Sequence, residues 1–213
     1  LLRRILIDSQ VPFCEIPPMP EGFRFAAALT HDVDHPSLRR HGFDHTVWGF
    51  LARALAGSTG EWIRGRRTLG ELVRNWLAAV ELPLVQLGLR RDPWRRFVEY
   101  SRWEGGPGRS TFFVIPFAGR PGHRSDGTSA PAYRAAAYGV ADIEPEIGQL
   151  RAKGHEIGLH GLDAWRDPAA AREELEAIRK TAGDRAASGV RMHWLYRGPE
   201  TYAILDEAGV QYD

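Results

Sequence analysis

The sequence predicts an α/β fold built on a parallel sheet, and two features of the chain indicate it. Short apolar runs alternate with helical segments, which is the rhythm of strands joined by crossover helices. Several of these runs are apolar almost throughout, as in strands that are covered on both faces of a sheet. A (β/α) barrel and an open doubly wound sheet both fit this pattern. In either architecture, reactive side chains belong at the carboxyl ends of the strands.

Five segments are predicted as strands because each is an apolar run bounded by turn residues or charges. They are residues 25–30, 110–116, 155–159, 189–193 and 210–212. Helices are predicted between the last three strands. One begins at Asp167-Pro168, a capping residue followed by proline at the first helical position, and runs to Gly183. The other spans residues 199–209, and this alternation of strands and helices favours a parallel sheet.

Length and composition indicate one globular domain, residues 1–213. The chain is 43% hydrophobic and 26% charged, which is enough for a sizeable core. Its net charge is +1, so we expect no nucleic-acid partner, because such a partner calls for a basic excess. No run approaches the roughly 20 apolar residues of a transmembrane segment. Cys14 is the only cysteine, which argues against a disulfide or a thiolate metal site and leaves the compartment open between cytoplasm and cell envelope.

The ends of the chain suggest a piece of a longer protein. Leu1 is not a methionine, and residues 211–213 read as the middle of a strand. We therefore expect a fragment that lacks the last strands of its fold, and the missing signal peptide carries no conclusion.

The first predicted strand delivers two carboxylates to one place. Thr30, Asp32 and Asp34 occupy alternate positions, and side chains at alternate positions of a strand point the same way. Like charges this close repel unless a cation lies between them. A divalent metal would supply that charge and leave one carboxylate free to act as a base. The alternative is a polar turn with two solvated aspartates.

A second group of polar residues surrounds His160. This histidine emerges just past a predicted strand beside Gly161, where the backbone can turn tightly. A neutral imidazole in such a position is a good zinc ligand. The alternative is a histidine that only forms hydrogen bonds in the core. Asp163 follows three residues later and could share a face with His160.

Together these segments resemble the polysaccharide deacetylase superfamily, carbohydrate esterase family 4. The matching segments are Thr30-His-Asp-Val-Asp34, Ser110-Thr-Phe-Phe-Val114, Gly154-His-Glu-Ile-Gly-Leu-His160 and Gly189-Val-Arg-Met-His-Trp194. The resemblance covers residues 22–35 and 110–213, and the order of the motifs is more specific than any one of them. It implies a distorted (β/α) barrel and hydrolysis of N-acyl groups, acetyl or formyl, from a sugar or polysaccharide.

The resemblance also implies roles for single residues. Asp32 would be the base, and Asp34 and His160 would bind a divalent metal, zinc being the first choice. Arg191 would lie beside Asp32 and keep it ionised and oriented, the alternative being a surface salt bridge. We count Asp32 and Arg191 as the catalytic pair.

Two departures from the family pattern leave alternatives open. Where the family has a second histidine ligand, this chain has Ala164. Asp163 is the replacement that we prefer; His193, two residues after Arg191, is the other candidate, with contact to substrate or core as its alternative role. The family's general-acid histidine would lie beyond Asp213. A non-catalytic carbohydrate-binding relative and a hydrolase of a small non-sugar amide are therefore competing hypotheses.

Residues 39–102 are expected to form a helical insertion after the first strand. They contain 12 Arg and 6 acidic residues, a net charge of +6, as well as several tryptophans. An apolar stripe at helical spacing is expected to be buried against the host domain. It comprises Leu69, Leu72, Val73, Trp76, Leu77 and Val80. The alternative is a basic cap that contacts an anionic or lipid-linked carbohydrate at a membrane surface.

Overall fold

The computed structural model describes residues 2–10, 12, 22, 24–25, 27–96, 99–100, 109–183 and 188–213. Within these residues the fold is α/β, with a four-stranded parallel sheet curled into a half-barrel. The strands follow one another in sequence order: Thr30–Val33 (β1), Thr111–Val114 (β2), Glu156–Gly161 (β3) and Val190–Met192 (β4). The predicted α/β class and parallel sheet are confirmed, and the half-barrel is compatible with a partial barrel.

Strand pairing brings distant motifs to the same end of the sheet. Thr30 of β1 pairs with Thr111 of β2, which in turn pairs with Glu156 of β3. On the other side of β3, His160 pairs with Arg191 of β4. Because all three pairings are parallel, the segments that follow β1, β3 and β4 emerge at one edge.

The helices within the described ranges are Leu2–Asp8 (α1), His45–Ala52 (α2), Ser58–Ile63 (α3), Leu69–Gln86 (α4), Glu144–Ala152 (α5), Pro168–Ala182 (α6) and Thr201–Glu207 (α7). A π-helical segment, Arg53–Gly57, joins α2 to α3. Helix α6 begins as predicted: the Asp167 carboxylate accepts a hydrogen bond from the N–H of Ala169.

The main core lies between the sheet and the helices that follow it. Phe112 and Val114 of β2, Leu159 of β3, and Leu175 and Ile178 of α6 are fully buried in it. A second, smaller core belongs to the segment between β1 and β2, which contains α2, α3 and α4. Its buried members are Leu38, Val47 and Leu82.

Three sequence predictions need correction. The first strand lies at Thr30–Val33 rather than 25–30, and Phe25 is 74% exposed, because the ladder to β2 starts at Thr30. The predicted strand 210–212 reduces to a single bridge between Tyr212 and Gly189.

The third correction concerns α4. Of its predicted apolar stripe only Leu72 is buried; the exposed members are Leu69, Val73, Trp76, Leu77 and Val80. The buried side of α4 is a neighbouring face, where Leu72 is joined by Ala79, Leu82 and Val85. None of the helices in the described ranges has the length and apolar content of a membrane span.

Candidate metal centre

Three side chains converge at the carboxyl edge of the sheet. Asp34 follows β1, His160 lies near the end of β3, and His193 directly follows β4. Nε2 of His160 lies 3.2 Å from Oδ1 of Asp34 and 3.1 Å from Nδ1 of His193. Nδ1 of His193 is in turn 3.3 Å from Oδ1 of Asp34. The three potential ligand atoms form a nearly equilateral triangle, close enough to bind one metal ion.

The tautomer of His160 strengthens this reading of the triangle. Its Nδ1 lies 2.9 Å from the backbone carbonyl oxygen of Arg191, and a carbonyl can only accept, so Nδ1 carries the hydrogen. Nε2 of the neutral ring then presents a lone pair to the Asp34 carboxylate, which also only accepts. Two facing lone pairs repel unless a proton or a metal ion lies between them.

The spacing of the triangle fits a small divalent cation. Tetrahedral ligands at about 2.0–2.1 Å from zinc lie about 3.3 Å apart. Two imidazoles and a carboxylate are also donors that zinc accepts readily. The backbone carbonyl of Arg191, which accepts the hydrogen bond from Nδ1, fixes the ring of His160. Metal-binding histidines commonly have such a second hydrogen-bond partner.

The surroundings of Asp34 favour its ionised form, which is the form that binds a metal ion. His160 is buried, while the Asp34 carboxylate is 44% exposed to the cavity. The adjacent imidazole of His160, and then that of His193, hold the pKa of Asp34 well below its usual range. The carboxylate is therefore ionised. Tyr138 supports this segment, since its buried hydroxyl donates to the carbonyl oxygen of Val33 and accepts from the N–H of Ile115.

The pair Asp32 and Arg191 forms as expected. Nη1 of Arg191 donates to Oδ1 of Asp32 at 3.0 Å and to Oγ1 of Thr30 at 3.1 Å. The guanidinium also lies 4.8 Å from the centre of the Phe113 ring. The side chains of Asp32 and Arg191 are both about one-third exposed, so the ion pair is partly shielded from water.

Asp163, the preferred third ligand, lies outside the triangle. Its Oδ1 accepts from the N–H of His123 at 2.8 Å, and its Oδ2 is 2.9 Å from Nδ1 of the same residue. Glu174 of α6 accepts from the N–H groups of Leu162 and Asp163 at 2.9 and 2.7 Å and fixes this loop. Both oxygens of Asp163 are thus engaged away from Asp34. His193 lies at the third corner of the triangle instead, so the candidate ligand set differs from the predicted one at one residue.

A cavity of about 530 Å³ opens over the cluster. Asp32, Asp34, His160 and His193 line it, together with residues of the segment that follows β1. His35 lies there, and its Nδ1 is 3.2 Å from Nε2 of the buried His41. His41 is in turn 2.8 Å from the carboxylate of Asp44, the residue that caps α2. Burial, followed by the nearby His41, lowers the pKa of His35.

Sequence reasoning did not identify this chain of residues or the aromatic side of the cavity. The only local signal for the first was the spacing of His41 and Asp44, three residues apart before a helix. Arg134 and Trp194, on the other wall, are 60 residues apart and carry no local pattern.

No family model, no curated protein and no solved structure matches this chain. The resemblance to the polysaccharide deacetylases therefore rests on the sequence motifs.

Proposed function

We propose that this protein is a metal-dependent hydrolase that removes an N-acyl group, acetyl or formyl, from a carbohydrate. The observation that carries the proposal is the triangle of Asp34, His160 and His193 in a cavity that Asp32 also lines. The choice of an N-acyl sugar rests on the motif resemblance to the polysaccharide deacetylases.

The side chains of the triangle are suited to hold a divalent ion, and we take zinc as the best fit to their donor set. Such an ion, when bound, polarises an amide carbonyl and lowers the pKa of a water molecule. The protein's own part is to hold three donors in place before the ion arrives. His160 is held by the backbone of Arg191, and His193 directly follows β4.

Asp32 is the base in this scheme. Arg191 holds its Oδ1, while Oδ2 has no hydrogen bond to any residue that the structure describes. Oδ2 can therefore accept the proton of the attacking water as a bond forms between the water oxygen and the acyl carbon. When the C–N bond breaks, the amine nitrogen needs a proton, and protonated Asp32 can return it. The products are a carboxylic acid and the free amine.

This geometry removes the main reason for considering a non-catalytic carbohydrate-binding protein. It arose from Ala164, which stands where the family has a second histidine. His193 supplies a third donor from β4 instead. The observation favours an enzyme over a binding domain that has lost its metal.

The test separates the base from the ligands. Asp32→Asn should retain the metal and lower turnover by about 10²- to 10⁴-fold, whereas Asp34→Ala should lose the metal as well. Metal content and hydrolysis of acetylated sugars, formylated sugars and small amides would be measured on the full chain. Glu173→Gln is the control, since this exposed carboxylate pairs with Arg120 on the surface. Near-normal turnover in Asp32→Asn would refute the mechanism, and hydrolysis of small amides alone would move the substrate away from sugars.

A further inference from the structure

One wall of the cavity carries an arginine that has no carboxylate partner among the described residues. Arg134 is half-buried and lines the same cavity as the triangle. Its Nη1 donates to the hydroxyl of Tyr196 at 2.8 Å, and its buried Nε has no hydrogen-bond acceptor in the part of the chain that the structure describes. Among the residues that the structure describes, no aspartate or glutamate forms an ion pair with it. Its charge is permanent, because a guanidinium does not lose its proton in proteins.

Two aromatic rings hold this guanidinium in place. Its carbon lies 3.8 Å from the centre of the Trp194 ring and 5.2 Å from that of Tyr196. Such contacts orient a cation and compensate part of its lost hydration, but they leave its hydrogen-bond donors unused. Nη2 forms no hydrogen bond within the described residues. An oriented guanidinium with free donors matches a carboxylate or a phosphate.

The backbone beneath Trp194 is itself unusual. Trp194 and Leu195 have φ values of 66° and 55°, a left-handed conformation that is disfavoured for residues other than glycine. Such strain persists where surrounding contacts enforce it, and it concentrates at functional sites. The turn directly follows His193, whose ring is 5.1 Å from that of Trp194. A single aromatic ring therefore separates the guanidinium from the triangle.

The other charges that line the cavity already have partners. Asp32 is paired with Arg191, and Asp34 lies between two imidazoles. Asp44 is engaged by His41 and by the start of α2. Among the described residues that line the cavity, Arg134 is the one arginine or lysine, so it supplies the permanent positive charge available to a ligand.

We infer that Arg134 recognises an anionic substituent, a carboxylate or a phosphate, on the molecule that enters this cavity. The ligand is then an acidic N-acyl sugar rather than a neutral one. The N-acyl sugar rests on the proposed function; the anion site itself does not.

Binding to the full chain, freed of metal with a chelator so that no turnover occurs, tests this inference. Three probes with the same sugar ring are compared. N-acetylglucosamine is neutral, N-acetylmuramic acid adds a carboxylate, and N-acetylglucosamine 6-phosphate adds a phosphate. Calorimetry should show at least one acidic probe binding about 10-fold or more tightly than the neutral sugar. This preference should shrink as salt is added. Whichever acidic probe binds more tightly identifies the source of the charge.

Substitutions locate the preference. In Arg134→Gln the dissociation constants of the neutral sugar and of the preferred acidic probe should become about equal. Arg134→Lys should retain part of the preference for the acidic probe, because the charge remains but the planar fork of donors is lost. Arg120→Gln is the matched control: that guanidinium also lies over a ring, Phe117 at 3.9 Å, but it is paired with Glu173. Circular dichroism would confirm that each variant is folded. Should Arg134→Gln unfold, Arg134→Lys and the salt dependence still decide the question.

Equal binding of neutral and acidic probes, including no binding of any, overturns the anion site. So does a preference that survives in Arg134→Gln. Neither result bears on the metal content or the turnover, which are the measurements that test the proposed function. Conversely, a preference that depends on Arg134 in a protein without metal or turnover would leave the anion site standing and refute the hydrolase.

Discussion

Arg191 serves two neighbours through two different parts of its structure. Its backbone carbonyl accepts from Nδ1 of His160 and fixes the ring, while its side chain holds Oδ1 of Asp32. Orientation of a ligand and orientation of the base are therefore coupled in one residue. A substitution of the Arg191 side chain removes only the second contact, because the carbonyl belongs to the backbone.

The first residue-scale prediction compares the two candidates for the third metal ligand. His193→Ala should weaken zinc binding by at least about 100-fold, because outer-shell changes alone commonly cost 10- to 100-fold. Asp163→Ala should leave zinc affinity within a few-fold of the parent, since its carboxylate contacts His123. Competition with a chromophoric chelator measures both. The reverse order of effects would return Asp163 to the ligand set.

The reason why Asp163 was preferred over His193 is physical. Asp163 is close to His160 along the chain, and local spacing is what a sequence displays directly. Glu174, however, binds the backbone N–H groups of the loop after β3 and draws it toward α6. His193 reaches the site through the pairing of β3 with β4, and neither pattern nor spacing reveals which strands will pair. Asp34 and His160 were predictable because each follows a strong strand signal.

At the scale of elements, α6 anchors the loop beyond β3 through one buried carboxyl group. Glu174 is buried, and this burial raises its pKa to about 7 from an ordinary value of 4.5. Between these pH values the folded protein binds a proton that the unfolded chain has released. The free energy of unfolding should therefore be highest below pH 4.5 for this group and fall as the pH rises through 7.

This linkage gives a measurable pH dependence. On going from pH 5 to pH 8, the free energy of unfolding should fall by up to about 3 kcal/mol because of Glu174, at 1.36 kcal/mol per pKa unit. Urea titrations at both pH values should show that Glu174→Gln lacks this component, while Glu173→Gln, exposed on the same helix, retains it. The same pH dependence in both variants would contradict the assignment.

Helix α4 allows a second prediction at this scale. Leu72→Ala should lower the free energy of unfolding by about 2–5 kcal/mol, because it leaves a cavity under a residue that is 6% exposed. Val80→Ala should change it by less than about 0.5 kcal/mol, since Val80 is 72% exposed. Urea unfolding of the full chain distinguishes them. A large effect at Val80 would contradict the exposure of this face of α4.

The helix itself was predictable, but its buried side was not. Periodicity identified α4 because apolar residues recur at helical spacing. The helix is apolar on two adjoining faces, however, and only tertiary packing selects one. Val73, Trp76 and Leu77 together form an exposed apolar face. Apolar side chains on a protein surface more commonly occur singly.

At the scale of the whole molecule, a metal ion would join segments that lie far apart in the chain. Asp34 and His160 are 126 residues apart, and His193 lies 33 residues further on. An ion that binds the folded state and not the unfolded chain stabilises the fold. The gain is about 2.7 kcal/mol when the free ion is at 100 times its dissociation constant. For a chain of this length we expect a rise in melting temperature of about 5–10 °C.

Thermal unfolding with and without added zinc tests this prediction. The parent protein should show the rise, and a chelator should reverse it. Asp34→Ala and His193→Ala should show no shift at the same zinc concentration. A rise of equal size in these variants would place the ion elsewhere.

The sequence could predict the parallel sheet but not its curvature. Alternation of strands and helices is the same in a barrel and in an open sheet. Curling depends on strand twist and on how the helices pack, which a pattern of apolar residues does not encode. The start of β1 was also misplaced, because the polar residues from Thr30 onward, rather than the apolar run before them, pair with β2.

The curl of the half-barrel has a direct consequence for the triangle. Neighbouring strands lie about 4.8 Å apart, so β1 and β4 would be separated by roughly 14 Å in a flat sheet. An aspartate and a histidine are too short to meet across that gap, yet Asp34 and His193 come within 3.3 Å. Grafting the same three residues onto a flat sheet would scatter their donor atoms. A change that flattens this sheet would disable the site with every one of its ligands still present.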